Sequence, residues 1–170
     1  MAELNKGTPQ VSLRFKYSEE ARQFWLAYGG HTGFNVRKRY INVSTFDGKV
    51  TSCKFVCSNE GLRRKGQTNH VRKCFRAETR TDCKAQMSLM LDRGAGNYEV
   101  TEVMLEHNHL LHLPETRHLM ASQRKISELQ AFEIETADDS GIKSKAAHEL
   151  ASCQVGGPLN LSYTCRDHKN

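Results

Sequence analysis

The sequence predicts an α+β fold, in which a small antiparallel sheet of four strands follows an N-terminal helix and precedes a helical tail. Three observations predict it. Apolar residues recur at helical spacing shortly after residue 18. Four later segments have strand character and are separated by turn residues or by a polar loop. After Pro114 helical spacing returns.

The N-terminal helix is predicted to begin at Ser18. This residue is a good N-cap, and the two acidic residues that follow suit the positive end of a helix. An apolar stripe then recurs at i, i+3, i+4 and i+7, formed by Ala21, Phe24, Trp25 and Tyr28. The pair Gly29-Gly30 is predicted to end the helix.

The four predicted strands span residues 33–43, 49–57, 83–91 and 98–107. Alternation in the first strand predicts Phe34, Val36 and Tyr40 on one face, with Asn35, Arg37 and Arg39 on the other. Asp47-Gly48 predicts a tight hairpin between the first two strands. Residues 58–80 have no sustained apolar period and predict a long basic loop, which inside a compact domain is usually functional.

The tail is predicted to contain helices at 122–135 and 142–153, followed by a third that begins at Thr164 and Asp167, a pair that resembles a capping box. The chain stops soon afterwards, so we expect a truncated product or a fragment. We therefore expect three parts: a disordered N-terminus (1–12), a folded domain (13–113) and a helical segment (114–170).

Positive charge is concentrated in one part of the chain. The net charge is +6, and residues 54–84 hold nine Lys and Arg against three Asp and Glu. Such a cluster suits phosphate binding, although a solvated basic loop has the same composition. The first residues lack the apolar core of a signal peptide, and no stretch approaches the ~18 apolar residues of a membrane span. We therefore expect an intracellular protein, without a membrane partner, whose six cysteines are metal ligands or buried thiols.

A metal site is predicted at Cys57, Cys83, His107 and His109, in the pattern Cys-x25-Cys-x23-His-x-His. Two histidines two residues apart on a strand point to the same side, and the two cysteines lie at the ends of adjacent predicted strands, about 4.8 Å apart. Two thiolates and two imidazoles are a usual ligand set of structural zinc, and they leave no position for water or substrate. The sequence therefore predicts one structural Zn²⁺.

Other thiols and imidazoles leave alternatives open. Cys53 shares a face with Cys57 but lies roughly 13 Å away along an extended strand, so a buried thiol is the better interpretation. Cys74 and His70 lie in the basic loop, and either could replace a ligand. In a further alternative, the cysteines of the set are core thiols and its histidines are surface residues.

Five separated motifs resemble the DNA-binding domain of the far-red-impaired-response family of plant transcription factors, which are similar to Mutator-like transposases. In chain order they are Ser18-Glu19-Glu20-Ala21, Gly33–Arg37, Lys54–Gly61, Thr79–Ala85 and Glu106–His109. The resemblance covers roughly residues 13–113 and implies a zinc finger similar to the WRKY and glial-cells-missing fold, a nuclear location and a first strand presented to the major groove. The tail resembles the segment that leads to the family's transposase-like core, which is absent here.

The resemblance also implies zinc on the same four residues, but the base-reading residues cannot be carried over because the WRKY signature is absent. We therefore assign DNA contacts from residue type. Arg37 and Arg39 lie on the polar face of the first strand, and arginine is the commonest reader of guanine. Lys38 is assigned to the opposite face, at a strand edge or on phosphate. Further phosphate contacts are predicted from Arg63, Arg64, Lys65, Arg72, Lys73, Arg76 and Arg80.

The predicted function is zinc-dependent, sequence-specific binding of double-stranded DNA by a nuclear transcription regulator of transposase-derived origin. The alternative is a truncated protein-interaction module that modulates full-length family members without strong DNA binding. No enzyme and no small-molecule substrate is expected. The string His107-Asn108-His109 differs from a His-Asn-His nuclease, whose three residues are spread along a hairpin and a helix.

Overall fold

The computed structural model describes residues 7–62 and 78–167, and it confirms the α+β class. The first compact unit contains β1 (Arg14–Phe15), α1 (Ser18–Thr32), β2 (Val36–Val43), β3 (Val50–Cys57), β4 (Gln86–Asp92) and β5 (Asn97–Met104). The second contains α2 (Glu128–Asp139), α3 (Ser144–Gln154) and 3-10 turns at Pro114–Leu119 and Pro158–Asn160. The two units divide between Leu111 and His112.

The sheet is antiparallel and has the order β1-β5-β4-β3-β2, with one strand more than the sequence predicted. The additional strand, β1, has two residues and pairs with the outer side of β5. The segment just before it is also held there, since Ser12 N donates to Val100 O at 2.8 Å. A strand this short carries no readable period, which is why the sequence did not reveal it.

A β-bulge at Arg39 changes which side chains share a face of β2. Lys38 lies opposite Phe55, whereas Tyr40 lies opposite Lys54, so Arg39 is the extra residue. The bulge moves Tyr40 to the face that carries Arg37, and the prediction that Tyr40 shares a face with Val36 is wrong. Simple alternation failed here because a bulge inserts one residue and shifts the pattern by one.

The core of the first unit lies between α1 and one face of the sheet. The helix contributes Ala21, Phe24 and Trp25, all buried as predicted. The sheet side of the core is formed by Cys53, Phe55, Met87, Leu89 and Val100. Burying a large apolar side chain typically stabilises a fold by about 1.5–3 kcal/mol, so this layer fixes the sheet on which the site is built.

The prediction that Gly29-Gly30 ends α1 is wrong, because the helix continues through both glycines to Thr32. The last helical residue is Thr32, and the C-cap Gly33 has φ +100° and donates its N–H to Gly29 O at 2.8 Å. Gly29 is needed for a different reason, because a Cβ there would lie 2.8 Å from Val36 Cγ2. Its missing side chain lets α1 approach the start of β2. At the other end, Tyr17 is the N-cap and Ser18 is the first helical residue.

The second unit is helical. Helix α2 begins later than predicted, at Glu128, behind a capping box formed by Ser127 and Gln130. Thr164 N donates to Asp167 Oδ2 at 2.7 Å, the type of contact that a capping box makes. Among the residues described, no helix is long and apolar enough to cross a membrane.

Candidate metal centre and nucleic-acid interface

The four residues of the predicted metal site converge on one point. One potential ligand atom from each of Cys57, Cys83, His107 and His109 lies within 4.8 Å of all the others. Cys57 Sγ is 3.2 Å from His109 Nε2, Cys83 Sγ is 3.4 Å from His107 Nδ1, and those two nitrogens are 3.2 Å apart. The thiols are buried and the imidazoles are half-buried. This group could hold a metal ion.

The route by which the ligands meet differs from the predicted one. β5 ends at Met104, so both histidines lie beyond the strand, and Cys83 lies before the first residue of β4. Strand alternation therefore does not orient the histidines. Cys57 is the exception, because it is the last residue of β3 and donates its N–H to Ala85 O at 2.9 Å. Loop segments bring the other three ligands to it.

Asn108 joins two of these loop segments. Its Nδ2 donates to Thr81 O at 2.6 Å, and its Oδ1 accepts from Thr81 Oγ1 at 2.8 Å. The side chain thus fastens the histidine segment to the segment that carries Cys83. The sequence did not reveal this role, because no known motif assigns a structural hydrogen bond to an asparagine between two histidines.

Backbone hydrogen bonds close the base of the basic loop at the same place. Asn59 O accepts from Thr81 N at 3.0 Å and from Cys83 N at 3.2 Å. Gly61 O accepts from Asp82 N at 3.1 Å, and Asp82 has φ +58°, a left-handed conformation that aspartate tolerates better than most residues. The two ends of the loop are therefore held together beside the ligands.

Burial controls the protonation of the metal-free cluster. It raises the pKa of the Cys57 thiol to about 12, with a further contribution from the neighbouring Cys83. Burial also lowers the pKa of His107 to about 4, helped by His109. Without an ion the cluster therefore holds a neutral thiol and a neutral imidazole. A cation would have to displace the thiol proton, as is general for thiolate ligands.

Hydrogen bonding distinguishes the two imidazoles. His109 Nδ1 lies 2.9 Å from Leu110 O, which can only accept, so Nδ1 carries the proton and Nε2 is free to bind an ion. The ring of His107 packs on Phe34, with centroids 4.4 Å apart. Its Nδ1 faces the cluster, while its buried Nε2 has no hydrogen-bond partner within the described part of the chain.

Cys53 does not join the cluster. It is buried in the core, and burial raises the pKa of its thiol to about 11. Cys74 and His70, the alternative ligands, lie outside the described residues.

The arginines of β2 are held by an acidic residue. Arg37 Nη2 donates to Glu60 O at 3.0 Å and also contacts the Glu60 carboxylate. Arg39 Nε lies 3.6 Å from Glu60 Oε1. The Arg37 side chain is 28% exposed and that of Arg39 51%. Both arginines therefore lie on the edge strand β2 of the sheet, and Arg39 is the more accessible of the two.

The other basic residues assigned to DNA are placed unevenly. Lys38 lies opposite Phe55, on the face that packs against α1, and Arg80 is exposed at the end of the basic loop. Lys54, which lies opposite Tyr40 in the sheet, forms an ion pair with Glu102, with 3.3 Å between Nζ and Oε2. The remaining residues of the set fall outside the described part of the chain: Arg63, Arg64, Lys65, Arg72, Lys73 and Arg76.

Comparison with known proteins decides the family. The FAR1 DNA-binding domain matches residues 23–113, more than half of the sequence. The chain belongs to the FAR1 DNA-binding domain family. This confirms the resemblance drawn from the five motifs, whose ligand residues all fall inside the matched segment.

Relatives from Arabidopsis thaliana agree. Protein FAR1-RELATED SEQUENCE 12 is 38% identical over 103 residues, which cover 61% of this chain and 11% of the relative. Protein FAR1-RELATED SEQUENCE 5 is 29% identical over 165 residues, which cover 95% of this chain and 21% of the relative. Protein FAR-RED IMPAIRED RESPONSE 1 is 25% identical over 153 residues, 90% of this chain and 18% of the relative. The chain thus spans about a fifth or less of their length, and no solved structure matches it.

Proposed function

We propose that this chain is a zinc-dependent module that binds double-stranded DNA in a sequence-specific way and regulates transcription in the nucleus. The observation that carries the proposal is the convergence of four Cys and His ligand atoms within 4.8 Å. They meet where the basic loop closes and where the arginines of β2 are held. One ion at this point would fix both DNA-binding elements.

Zinc is the metal that best suits the donor set. Zn–S bonds of about 2.3 Å and Zn–N bonds of about 2.0–2.1 Å in a tetrahedron place the ligand atoms about 3.3–3.8 Å apart. Three of the six ligand pairs lie at 3.2–3.4 Å, close to these values, and all four ligand atoms lie within 4.8 Å of one another. Four protein ligands would fill the coordination shell, so the role proposed for the ion is structural and the chain is proposed not to be an enzyme.

The edge of the sheet is the proposed reader of DNA. Strands of a β-sheet can read bases in the major groove, and β2 is an edge strand of this sheet. Arg37 and Arg39 are the proposed base readers. The phosphate contacts are proposed for Lys38, Arg80 and the basic residues of the loop, namely Arg63, Arg64, Lys65, Arg72, Lys73 and Arg76.

Family membership supports the nuclear, regulatory part of the proposal. The matched domain is described as DNA-binding, and the relatives bear FAR1 names. An origin from a transposase and an association with full-length family members follow as proposals from the same relationship.

Metal analysis together with a mobility-shift assay tests the function. Cys57→Ser and His109→Ala should lose the bound zinc, measured by elemental analysis, and should lose DNA binding. The matched controls are Cys153→Ser and His112→Ala, which change the same residue types outside the cluster. Zinc content near one per chain in all four variants would contradict the proposed ligands. Binding that survives complete removal of zinc by a chelator would contradict zinc dependence.

Base reading and phosphate binding are separable in the same assay. Arg37→Ala should reduce the difference in affinity between a selected duplex and a shuffled one. Arg63→Ala and Arg64→Ala should weaken both duplexes by similar factors and lower the salt dependence. An unchanged preference in the Arg37 variant would show that the strand does not read bases.

A protein-interaction role is the second candidate, and the second unit favours it. A groove of about 270 Å³ lies between α2 and α3, with Phe132 and Leu150 on its walls. Both side chains are more than half exposed. If the chain acts through full-length family members, adding it to one of them should change that member's DNA binding, and Phe132→Ser should remove the change.

A further inference from the structure

Glu60 lies between the candidate metal centre and the arginines of β2. Its carboxylate contacts the guanidinium groups of Arg37 and Arg39, and its backbone carbonyl accepts a hydrogen bond from Arg37 Nη2 at 3.0 Å. The Glu60 side chain is only 19% exposed. A half-buried contact between full charges is stronger than an exposed one. One residue therefore restrains both proposed base readers.

The backbone on either side of Glu60 fixes it to the ligand cluster. Glu60 N donates to Cys57 O at 3.0 Å. Its neighbour Asn59 accepts from Thr81 N and Cys83 N. The carboxylate is thus positioned by the segments that carry the two thiols. A change in how the cluster is held would move the carboxylate, and with it the two arginines.

We infer that Glu60 is a positioning and specificity-determining residue for DNA binding, an inference that rests on the proposed function. The carboxylate holds the guanidinium groups in one orientation before DNA arrives, which lowers the cost of ordering them on a base edge. Arginine has five N–H donors, so an arginine bound to Glu60 keeps donors for guanine. The contact therefore restrains the arginine side chain and still leaves N–H donors available for hydrogen bonds to a base.

The negative charge of Glu60 has a second effect. Phosphates attract arginines regardless of sequence, and this attraction provides most non-specific binding. A carboxylate beside Arg37 and Arg39 reduces that attraction, because it neutralises part of their charge and repels phosphate. Glu60 should therefore weaken binding to all duplexes and widen the difference between a preferred duplex and the rest.

The test uses the full chain with bound zinc. A preferred sequence is first selected from a pool of random duplexes with the wild type. Affinities for the selected duplex and a shuffled duplex are then measured over several salt concentrations. Glu60→Gln should raise affinity for the shuffled duplex roughly three- to tenfold at 0.1 M salt and steepen the salt slope by up to about 0.9. The ratio of the two affinities should fall.

Two further variants make the result decisive. Glu99→Gln removes a carboxylate from an ion pair with Arg14 at the opposite edge of the sheet, so it controls for net charge alone. Glu60→Asp keeps the charge but shortens the reach. It should lower the ratio without raising affinity for the shuffled duplex, and it tests the positioning role even if Glu60→Gln fails to fold.

The outcomes separate this inference from the function on which it rests. Equal changes for both duplexes in the Glu60 variants, or changes like those of Glu99→Gln, would overturn the role of Glu60 and leave DNA binding intact. If the wild type enriches no sequence from the pool, sequence-specific binding itself is wrong.

Discussion

Replacing Asn108 by alanine should weaken metal binding although Asn108 is not a ligand. The side chain makes two hydrogen bonds to Thr81, of 2.6 and 2.8 Å, which fasten the histidine segment to the segment of Cys83. A typical hydrogen bond contributes about 0.5–1.5 kcal/mol net. Because Asn108 is exposed, we take the lower part of that range for each bond, about 1–2 kcal/mol in all.

This free energy translates into a measurable change in affinity. At about 1.4 kcal/mol per tenfold change, zinc affinity of Asn108→Ala should fall roughly 5- to 30-fold. That range lies close to the effect of removing outer residues that orient metal ligands. Thr81→Val removes only the hydroxyl bond and keeps the bond to its carbonyl, so its effect should be about half as large in free energy.

Competition with a chromophoric zinc chelator at fixed pH measures the change. Asn42→Ala is the matched control, because Asn42 also makes a side-chain hydrogen bond, to Ser52 Oγ at 2.9 Å, but at a site in the β2–β3 hairpin away from the ligands. An Asn108→Ala affinity within twofold of the wild type would refute the reasoning. So would an equal loss in Asn42→Ala, since the effect would then reflect stability in general.

Two further predictions concern stability. Gly29→Ala should lower the melting temperature, because the new Cβ would lie 2.8 Å from Val36 Cγ2 and overpacking typically costs about 1–3 kcal/mol; Gly7→Ala, with open space around it, should not. Hydrogen bonding from Ser44, with further help from Arg93, lowers the pKa of Asp47 to about 2 from an ordinary 3.8. This carboxylate therefore stabilises the fold above pH 3.8, and the stabilisation is lost as the pH falls towards 2. Unfolding of Asp47→Asn, followed by circular dichroism, should lack this component; an unchanged profile would contradict the assignment.

Periodicity predicted the parts of the fold that depend on side-chain burial. The apolar stripe of α1 identified three core residues, Ala21, Phe24 and Trp25, because apolar residues recur there at helical spacing and the helix buries that side against the sheet. The features that were mispredicted are backbone features. The bulge at Arg39 and the passage of α1 through Gly29 depend on close approach of another segment, which a single stretch of sequence does not contain.

The sequence predicted which residues form the candidate site, but not the local structure that brings them together. Ligand type and spacing selected Cys57, Cys83, His107 and His109, and the structure brings these four together. The contacts that hold them there were not predictable, because Asn108 and Glu60 act through partners 27 and 23 residues away. From sequence alone, such polar residues cannot be distinguished from solvent-exposed ones, because the sequence does not identify their partners.

The long loop between the two cysteines costs the site little. Loop-closure entropy grows only logarithmically, by about 0.6 kcal/mol for each doubling of length. Lengthening a loop fivefold, for example from five residues to 25, therefore adds about 1.4 kcal/mol to the free energy of closing it. Structural zinc typically contributes about 10–16 kcal/mol of binding free energy. The bonds from Thr81 and Cys83 to Asn59 O also close the base independently of what lies beyond it. A long insertion between Cys57 and Cys83 is therefore energetically compatible with a zinc site at this position.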